Sequence, residues 1–261
     1  MMNAATLPSG FYGKLPCRGD FLKRRVAESF VEPWDEWLQA CMHASRAQLG
    51  SAWLDRYLTA PVWRFAFEAG VCGGQAQAGV LVPSVDRVGR YFPLTIVIGL
   101  PAHTNVLDVA CCATRWFDAA EAAALDALEA DDLDAEAFDA RVAQLECPDG
   151  LGDEHDAARA RAVCASAFPL ESTRWCVPLA STQSLQRTVN ALARRELSRA
   201  LQPLALWWSE GSGTLGAHWL ATRGLPAAEA FAAMLAGDWR ACGWADPGAD
   251  AAPDTASAMG E

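Results

Sequence analysis

Three short apolar runs, at residues 62–67, 76–82 and 91–100, constrain the fold of this chain most strongly. In the first run the bulky rings of Trp63, Phe65 and Phe67 occupy every second position, and this period of two is typical of a β-strand. Polar segments that contain Pro or Gly separate the runs. Three strands joined by short polar loops predict an antiparallel meander. The longest run is also far short of the ~20 residues that a membrane-spanning helix needs.

Further strand signals lie outside this meander. Residues 204–208 and 214–221 are apolar and flank Gly211-Ser212-Gly213, which predicts a second hairpin. Residues 11–15 and 174–179 carry additional strand patterns. Together these segments indicate a sheet of about six strands, divided into one group before and one group after the middle of the chain.

Helical patterns fill the segments between the strands. Glu32 and Pro33 are placed to open a helix that runs to residue 49, since Pro is favoured in the first turn. Residues 181–200 and a segment that starts at Pro226 have helical periodicity too, and residues 105–168 are rich in Ala and poor in Gly. Helices must cover both apolar faces of such a sheet, so the sequence predicts a three-layer α/β/α sandwich with a largely antiparallel (mixed) sheet.

Tryptophan marks the expected core. The chain has 11 Trp against 3 Tyr, and Trp favours cores and interfaces because its ring is large. Seven of them fall in the first helices and strand or in the last hairpin: Trp34, Trp37, Trp53, Trp63, Trp207, Trp208 and Trp219. We expect most of them to belong to one core, shared by both strand groups.

The charge distribution is uneven. Lys and Arg number 21 against 32 Asp and Glu, a formal net charge of -11, and residues 118–156 alone contain 14 acidic residues and one basic residue, Arg141. An acidic chain is a poor candidate for binding nucleic-acid phosphates or anionic membranes. Two interpretations of the acidic segment stay open, namely a solvated face of helices or a surface for a basic partner.

The sequence shows no pattern typical of an active site. It lacks a phosphate-binding P-loop and a G-x-S-x-G nucleophile motif, its four His have no metal-ligand spacing, and its nine Cys include no C-x-x-C pair. We therefore expect no catalytic, cofactor-binding or metal-ligating residues and no small-molecule substrate. A hydrolase that uses Ser84, with Asp86 nearby, or a Cys is a weaker alternative. The N-terminus has no signal-peptide pattern, so a cytoplasmic location is expected.

Several motifs resemble a known family. The string GFYGKLP at 10–16, followed by RGDF at 18–21, resembles the opening of the TagF family of accessory proteins of type VI secretion in Gram-negative bacteria. Agreement continues in FVEPWDEW at 30–37, PVWRF at 61–65 and GVLVPSVDRVGRYFPL at 79–94, and more sparsely in WW at 207–208, GLP at 224–226 and FAAMLAGDW at 231–239.

This resemblance implies a regulator rather than an enzyme. TagF-like proteins are described as post-translational repressors that act in the cytoplasm and oppose assembly promoted by a threonine kinase and phosphatase pathway. The implied partner is the forkhead-associated-domain scaffold of the secretion apparatus. A structural or assembly accessory protein of the machine is the alternative. The resemblance also implies one α/β domain at 1–245, with an acidic helical segment at about 105–168, and composition predicts a disordered tail at 246–261.

Two turns of the resembling region carry the charges that a partner could contact. The first turn offers Lys14, Arg18 and Asp20, and the connection between the second and third meander strands offers Asp86, Arg87 and Arg90. If both turns lie at one edge of the sheet, they form a mixed-charge patch rich in arginine, a residue type that is enriched in binding hot spots. The alternative is that Asp86 and Gly89 only make the turn and that Arg90 pairs with Asp86 or Asp20.

Overall fold

One antiparallel sheet organises the structure, a computed structural model that describes residues 8–130, 132–145, 196–197 and 199–245. Its strand order is β2-β1-β5-β4-β3-β6-β7, and every neighbouring pair is antiparallel. The strands are β1 (Gly10–Gly13), β2 (Leu22–Arg24), β3 (Trp63–Phe67), β4 (Ala76–Val82), β5 (Leu94–Leu100), β6 (Leu204–Ser209) and β7 (His218–Arg223). The meander of β3, β4 and β5 is therefore confirmed.

Helices cover both faces of this sheet. One face is covered by α1 (Glu28–Leu49), α2 (Trp53–Leu58) and α6 (Phe231–Ala236), and the other by α3 (Val106–Cys112), α4 (Thr114–Glu129) and α5 (Ala135–Ala143). The α1 side holds the aromatic core, whereas the α4 side is lined mainly by small and aliphatic residues. The three-layer α/β/α arrangement that the sequence predicts is confirmed.

The alternation along β3 shows how the sequence produces two cores. Trp63, Phe65 and Phe67 all point into the aromatic core, while the intervening Ala66 belongs to the opposite one. Arg64 also points to the opposite side and reaches Glu121 of α4 at 2.7 Å. Since successive side chains of a strand point to opposite faces, one strand supplies two layers with residues of different size.

The strand groups before and after the acidic segment share one sheet. Arg64 of β3 lies opposite Trp208 of β6, so a strand that follows the acidic segment in the chain pairs directly with the meander. The described part of that segment is helical, as expected, because α3, α4 and α5 follow one another between residues 106 and 143. Residues 146–168, the strand predicted at 174–179, the helix predicted at 181–200 (except for helical residues 196–197 and 199–200) and the tail at 246–261 lie outside the described residues.

Three details differ from expectation. The described residues form a sheet of seven strands, not about six. The strand without a sequence signal is β2, whose residues Leu22, Lys23 and Arg24 are too few and too polar to show a period of two. Helix α1 begins at Glu28, so Pro33 lies inside it rather than at its start. Trp219 does not belong to the core, because 53% of its surface is exposed on edge strand β7.

Candidate protein-binding surface

The predicted site residues lie on two loops that meet at one end of the sheet. The first loop, residues 14–21, connects β1 to β2, and the second, residues 83–93, connects β4 to β5. Gly13 allows their close approach, since a Cβ there would lie 2.2 Å from the carbonyl oxygen of Pro93 and its φ is +136°. The backbone N–H of Arg87 donates to the carbonyl oxygen of Arg18 at 3.2 Å, which ties the loops together.

Asp86 is the centre of the junction. Its side chain has no exposed surface and forms an ion pair with Lys14, whose side chain is 5% exposed. The carboxylate also accepts hydrogen bonds from the backbone N–H groups of Val88 (3.0 Å) and Arg90 (2.9 Å) and from Arg90 Nε (2.7 Å). Burial by itself would raise the pKa of the Asp86 carboxyl, but the hydrogen bonds from Lys14, Arg90 and Val88 outweigh it and hold the pKa well below its usual range.

Ser84 fixes the same junction from within. Its hydroxyl donates to the carbonyl oxygen of Lys14 at 2.7 Å, and its backbone N–H donates to the hydroxyl of Tyr57 at 2.9 Å. Tyr57 in turn donates to the carbonyl oxygen of Ser84 at 2.9 Å, and Ser84 is only 3% exposed. A buried hydroxyl that donates to a backbone carbonyl is not arranged as a nucleophile beside a base. The hydrogen bonds of Ser84 thus favour a structural role over the hydrolase alternative.

The six predicted residues therefore divide into two groups. Lys14 and Asp86 are buried and hold the loops together, while Arg18, Asp20, Arg87 and Arg90 are exposed. Arg90 has a structural part as well, because its guanidinium donates to the carbonyl oxygen of Gly19 in the first loop. The side chains of Arg18, Asp20 and Arg87 form no hydrogen bond or ion pair with any residue that the structure describes.

Two apolar residues complete the surface, and neither was predicted. Phe21 is 45% exposed, although it stacks on Tyr12 and contacts the edge of Phe92. Val88 is 64% exposed at the tip of the second loop. The only sequence signal for them is that each is an apolar residue in an otherwise polar turn. We call Arg18, Asp20, Phe21, Arg87, Val88 and Arg90 together the two-loop surface.

Such a surface suits protein binding better than chemistry. Arginine is among the residue types that most often dominate interface energies, and here three arginines stand on loops that a buried ion pair joins. The described residues contain no group of three or more side chains placed to hold a metal ion. Within the same residues, no helix combines the length and the hydrophobicity required to cross a membrane.

Comparison with known proteins identifies a family and similar solved structures. The model of the TagF N-terminal domain, described as type VI secretion system-associated, matches residues 10–145, a range that includes the whole two-loop surface. The crystal structure of PA0076 from Pseudomonas aeruginosa PAO1, at 2.05 Å resolution, has 39% sequence identity and a TM-score of 0.70 to this chain. That match covers 88% of this chain and 94% of that chain. Curated proteins give no match.

Proposed function

This chain belongs to the TagF family of type VI secretion system-associated proteins. On that premise, we propose that it is a non-catalytic, post-translational repressor of a bacterial type VI secretion system. It acts in the cytoplasm by binding the forkhead-associated-domain scaffold of the apparatus. A bound scaffold is withheld from assembly, so the repressor works by occupancy and needs neither a cofactor nor a substrate.

The observation that carries this proposal is the two-loop surface. A protein that sequesters a partner needs a preformed patch with a few anchor residues, because ordering mobile side chains on binding weakens the complex. Arg18 and Arg87 carry charges that no described side chain pairs with, and Phe21 and Val88 add exposed apolar area beside them. The buried pair of Lys14 and Asp86 keeps this patch in one shape before any partner arrives.

The test is a pair of variants with matched charge change. Arg87→Glu combined with Val88→Ser changes two exposed side chains of the two-loop surface and the charge by -2, and Arg115→Glu on α4, with the same charge change, is the control. Arg115 is exposed. The neighbouring Trp116 donates to Ser9 at 3.1 Å, and Ser9 precedes β1 whereas the first loop follows it, so Arg115 lies toward the opposite end of β1 from the loops. We expect the double variant to bind the purified scaffold at least about fivefold more weakly, as loss of a hot-spot residue costs more than ~1 kcal/mol.

Titration calorimetry and a secretion assay separate the alternatives. The wild-type chain and Arg115→Glu should bind the scaffold and stop secretion when overproduced, while the double variant should do neither. Wild-type affinity in the double variant would reject the two-loop surface as the binding site. Absence of binding by the wild-type chain would reject the scaffold as partner, and stoichiometric co-purification with the assembled sheath or baseplate would favour a structural accessory role instead.

A further inference from the structure

The outer edge of β7 offers hydrogen-bonding groups that no described strand uses. Among the described strands, β7 pairs only with β6. The backbone N–H of Gly224 donates to the carbonyl oxygen of Pro203 at 2.7 Å, which marks these two residues as a hydrogen-bonded pair. Because hydrogen-bonded and non-hydrogen-bonded pairs alternate along an antiparallel ladder, the backbone N–H and C=O groups of Thr222 and Leu220 also point toward β6.

The alternate residues of β7 face outward. By the same alternation, the N–H and C=O groups of Trp219, Ala221 and Arg223 point away from β6. The hydrogen bond from the N–H of Glu68 to the carbonyl oxygen of Leu204, at 2.9 Å, supports this assignment. It shows that the backbone groups of Leu204 point toward β3, so those of the opposite residue Arg223 point away from β6. A free edge of this kind can accept a further strand by main-chain hydrogen bonds.

Trp219 gives this edge a side-chain anchor. It lies opposite Trp208 of β6, which lies opposite Arg64 of β3, so the three side chains form one row on the α4 side of the sheet. Trp208 packs against Phe117 with ring centroids 4.8 Å apart, whereas Trp219 is left 53% exposed. A tryptophan ring of this kind can stack on an incoming side chain, and a cation is favoured over its face.

Carboxylates around Arg64, at the other end of this row, favour a positively charged incoming side chain. The guanidinium of Arg64 serves three carboxylates, those of Glu121 at 2.7 Å, Asp118 at 3.0 Å and Glu210 at 3.9 Å. One positive charge does not balance three negative ones, and Asp118 and Glu210 are 58% and 84% exposed. These carboxylates lie around Arg64, two strands from Trp219, and leave an excess of negative charge on the α4 side of the sheet, which favours a cation over an anion.

We propose that β7 accepts an extended, basic segment of a partner protein as an additional strand, with a lysine or arginine of that segment over Trp219. This surface is separate from the two-loop surface and goes beyond the function proposed above. Main-chain bonds to Trp219, Ala221 and Arg223 supply the affinity, and the unbalanced carboxylates of Asp118 and Glu210 supply the preference for a basic sequence.

The test uses a peptide of alternating lysine and valine, about as long as a typical strand. Amide hydrogen exchange of the whole chain should show that this peptide protects the N–H groups of Trp219, Ala221 and Arg223. A fully N-methylated peptide of the same charge should give no protection, because it has no N–H for the β7 carbonyls and its methyl groups block the approach of its own carbonyls to the β7 N–H groups. A peptide of alternating glutamate and valine should also give no protection.

Variants at a single position test the edge directly. Ala221→Pro removes an outward N–H and leaves the bonds to β6 in place, and Pro is tolerated at such an edge position. We expect this variant to bind the lysine–valine peptide at least about tenfold more weakly, while Ala221→Val, which keeps the N–H, binds within about twofold of wild type. If Ala221→Pro does not fold, the comparison of plain and N-methylated peptides on the wild-type chain provides the same test.

Three results would overturn the proposal. Equal binding of the plain and the N-methylated peptide would show attraction by charge alone. Equal binding of the lysine and glutamate peptides would remove the preference for a basic segment. Protection of the same three amides without peptide, increasing with protein concentration, would show that β7 pairs with a second copy of this chain.

Discussion

Replacement of Asp86 by Ala tests whether the junction of the two loops is held by one buried carboxylate. The side chain of Asp86 is fully buried and has four donors: Lys14 Nζ, the backbone N–H groups of Val88 and Arg90, and Arg90 Nε. Asp86→Ala leaves the Lys14 ammonium, which is 5% exposed, without its counter-charge. It also leaves two backbone N–H groups without an acceptor.

The structure indicates a large loss of stability. Removing one partner of a buried ion pair typically costs ~3–5 kcal/mol, because the remaining charge stays buried and unpaired. This is a large part of the ~5–15 kcal/mol by which a domain is stable. The reverse change, Lys14→Met, should cost less, about 1.5–3 kcal/mol, since Asp86 then keeps Arg90 and both backbone donors.

Urea unfolding at pH 7 followed by circular dichroism measures these values. The double variant Lys14→Met with Asp86→Ala should be more stable than the sum of the single losses predicts, by about 1–3 kcal/mol, because no unpaired charge remains. Arg115→Glu should leave the midpoint unchanged. A loss below about 1 kcal/mol in Asp86→Ala would refute the reasoning, since it would mean that water or another group satisfies Lys14.

The dependence on pH gives an independent check of the same contact. Hydrogen bonds to the ionised form lower the pKa of Asp86, so the carboxylate stabilises the fold fully above its ordinary pKa of about 4. This contribution is lost as the pH falls through that value toward the lower pKa of the folded state. The difference in unfolding free energy between wild type and Asp86→Ala should therefore shrink in acid, and a difference that stays constant down to about pH 2 would contradict the assignment.

Two further changes test the aromatic core. Gly79→Ala should cost at least about 2 kcal/mol in urea unfolding, because its Cβ would lie 2.2 Å from the ring of Phe65, which is fully buried; a midpoint within error of wild type would show that the ring moves. Trp34→Phe should cost about 1–3 kcal/mol more than Trp207→Phe, because Trp34 Nε1 donates to the hydroxyl of Thr95 at 3.0 Å whereas Trp207 Nε1 has no partner among the described residues. Equal losses would contradict that difference.

The parts of the fold that the sequence predicts are those with a strong local pattern. Alternation in β3 and the polar connection between β4 and β5 are local features, so the meander follows from the sequence. The strand β2 has no such pattern, because its three residues become a strand only by pairing with β1. Helix α1 shows the same limit at its start, since no side chain caps it at Ala27 and Pro33 lies inside it.

The site was only partly predictable for a related reason. The sequence indicates that the two turns carry charge, but whether a charged residue is buried depends on what packs against it. The sequence places Lys14 and Asp86 in one charged patch with Arg18 and Arg87, and leaves open that Asp86 only makes the turn and pairs with Arg90. The structure buries Lys14 and Asp86 as a pair, and Arg90 does contact Asp86. Phe21 shows the opposite difference: phenylalanine is usually buried, but this side chain is 45% exposed.

By itself, the sequence determined the layers of this protein, because a period of two or of about 3.6 residues fixes which side of a strand or helix is apolar. It also determined the family, because the motifs of the first hundred residues are specific. Only the tertiary structure decided the strand order, the pairing of β3 with β6 across the acidic segment, and the edge of β7 that no described strand covers. Strand neighbours and burial are properties of residues far apart in the chain, and no local period carries that information.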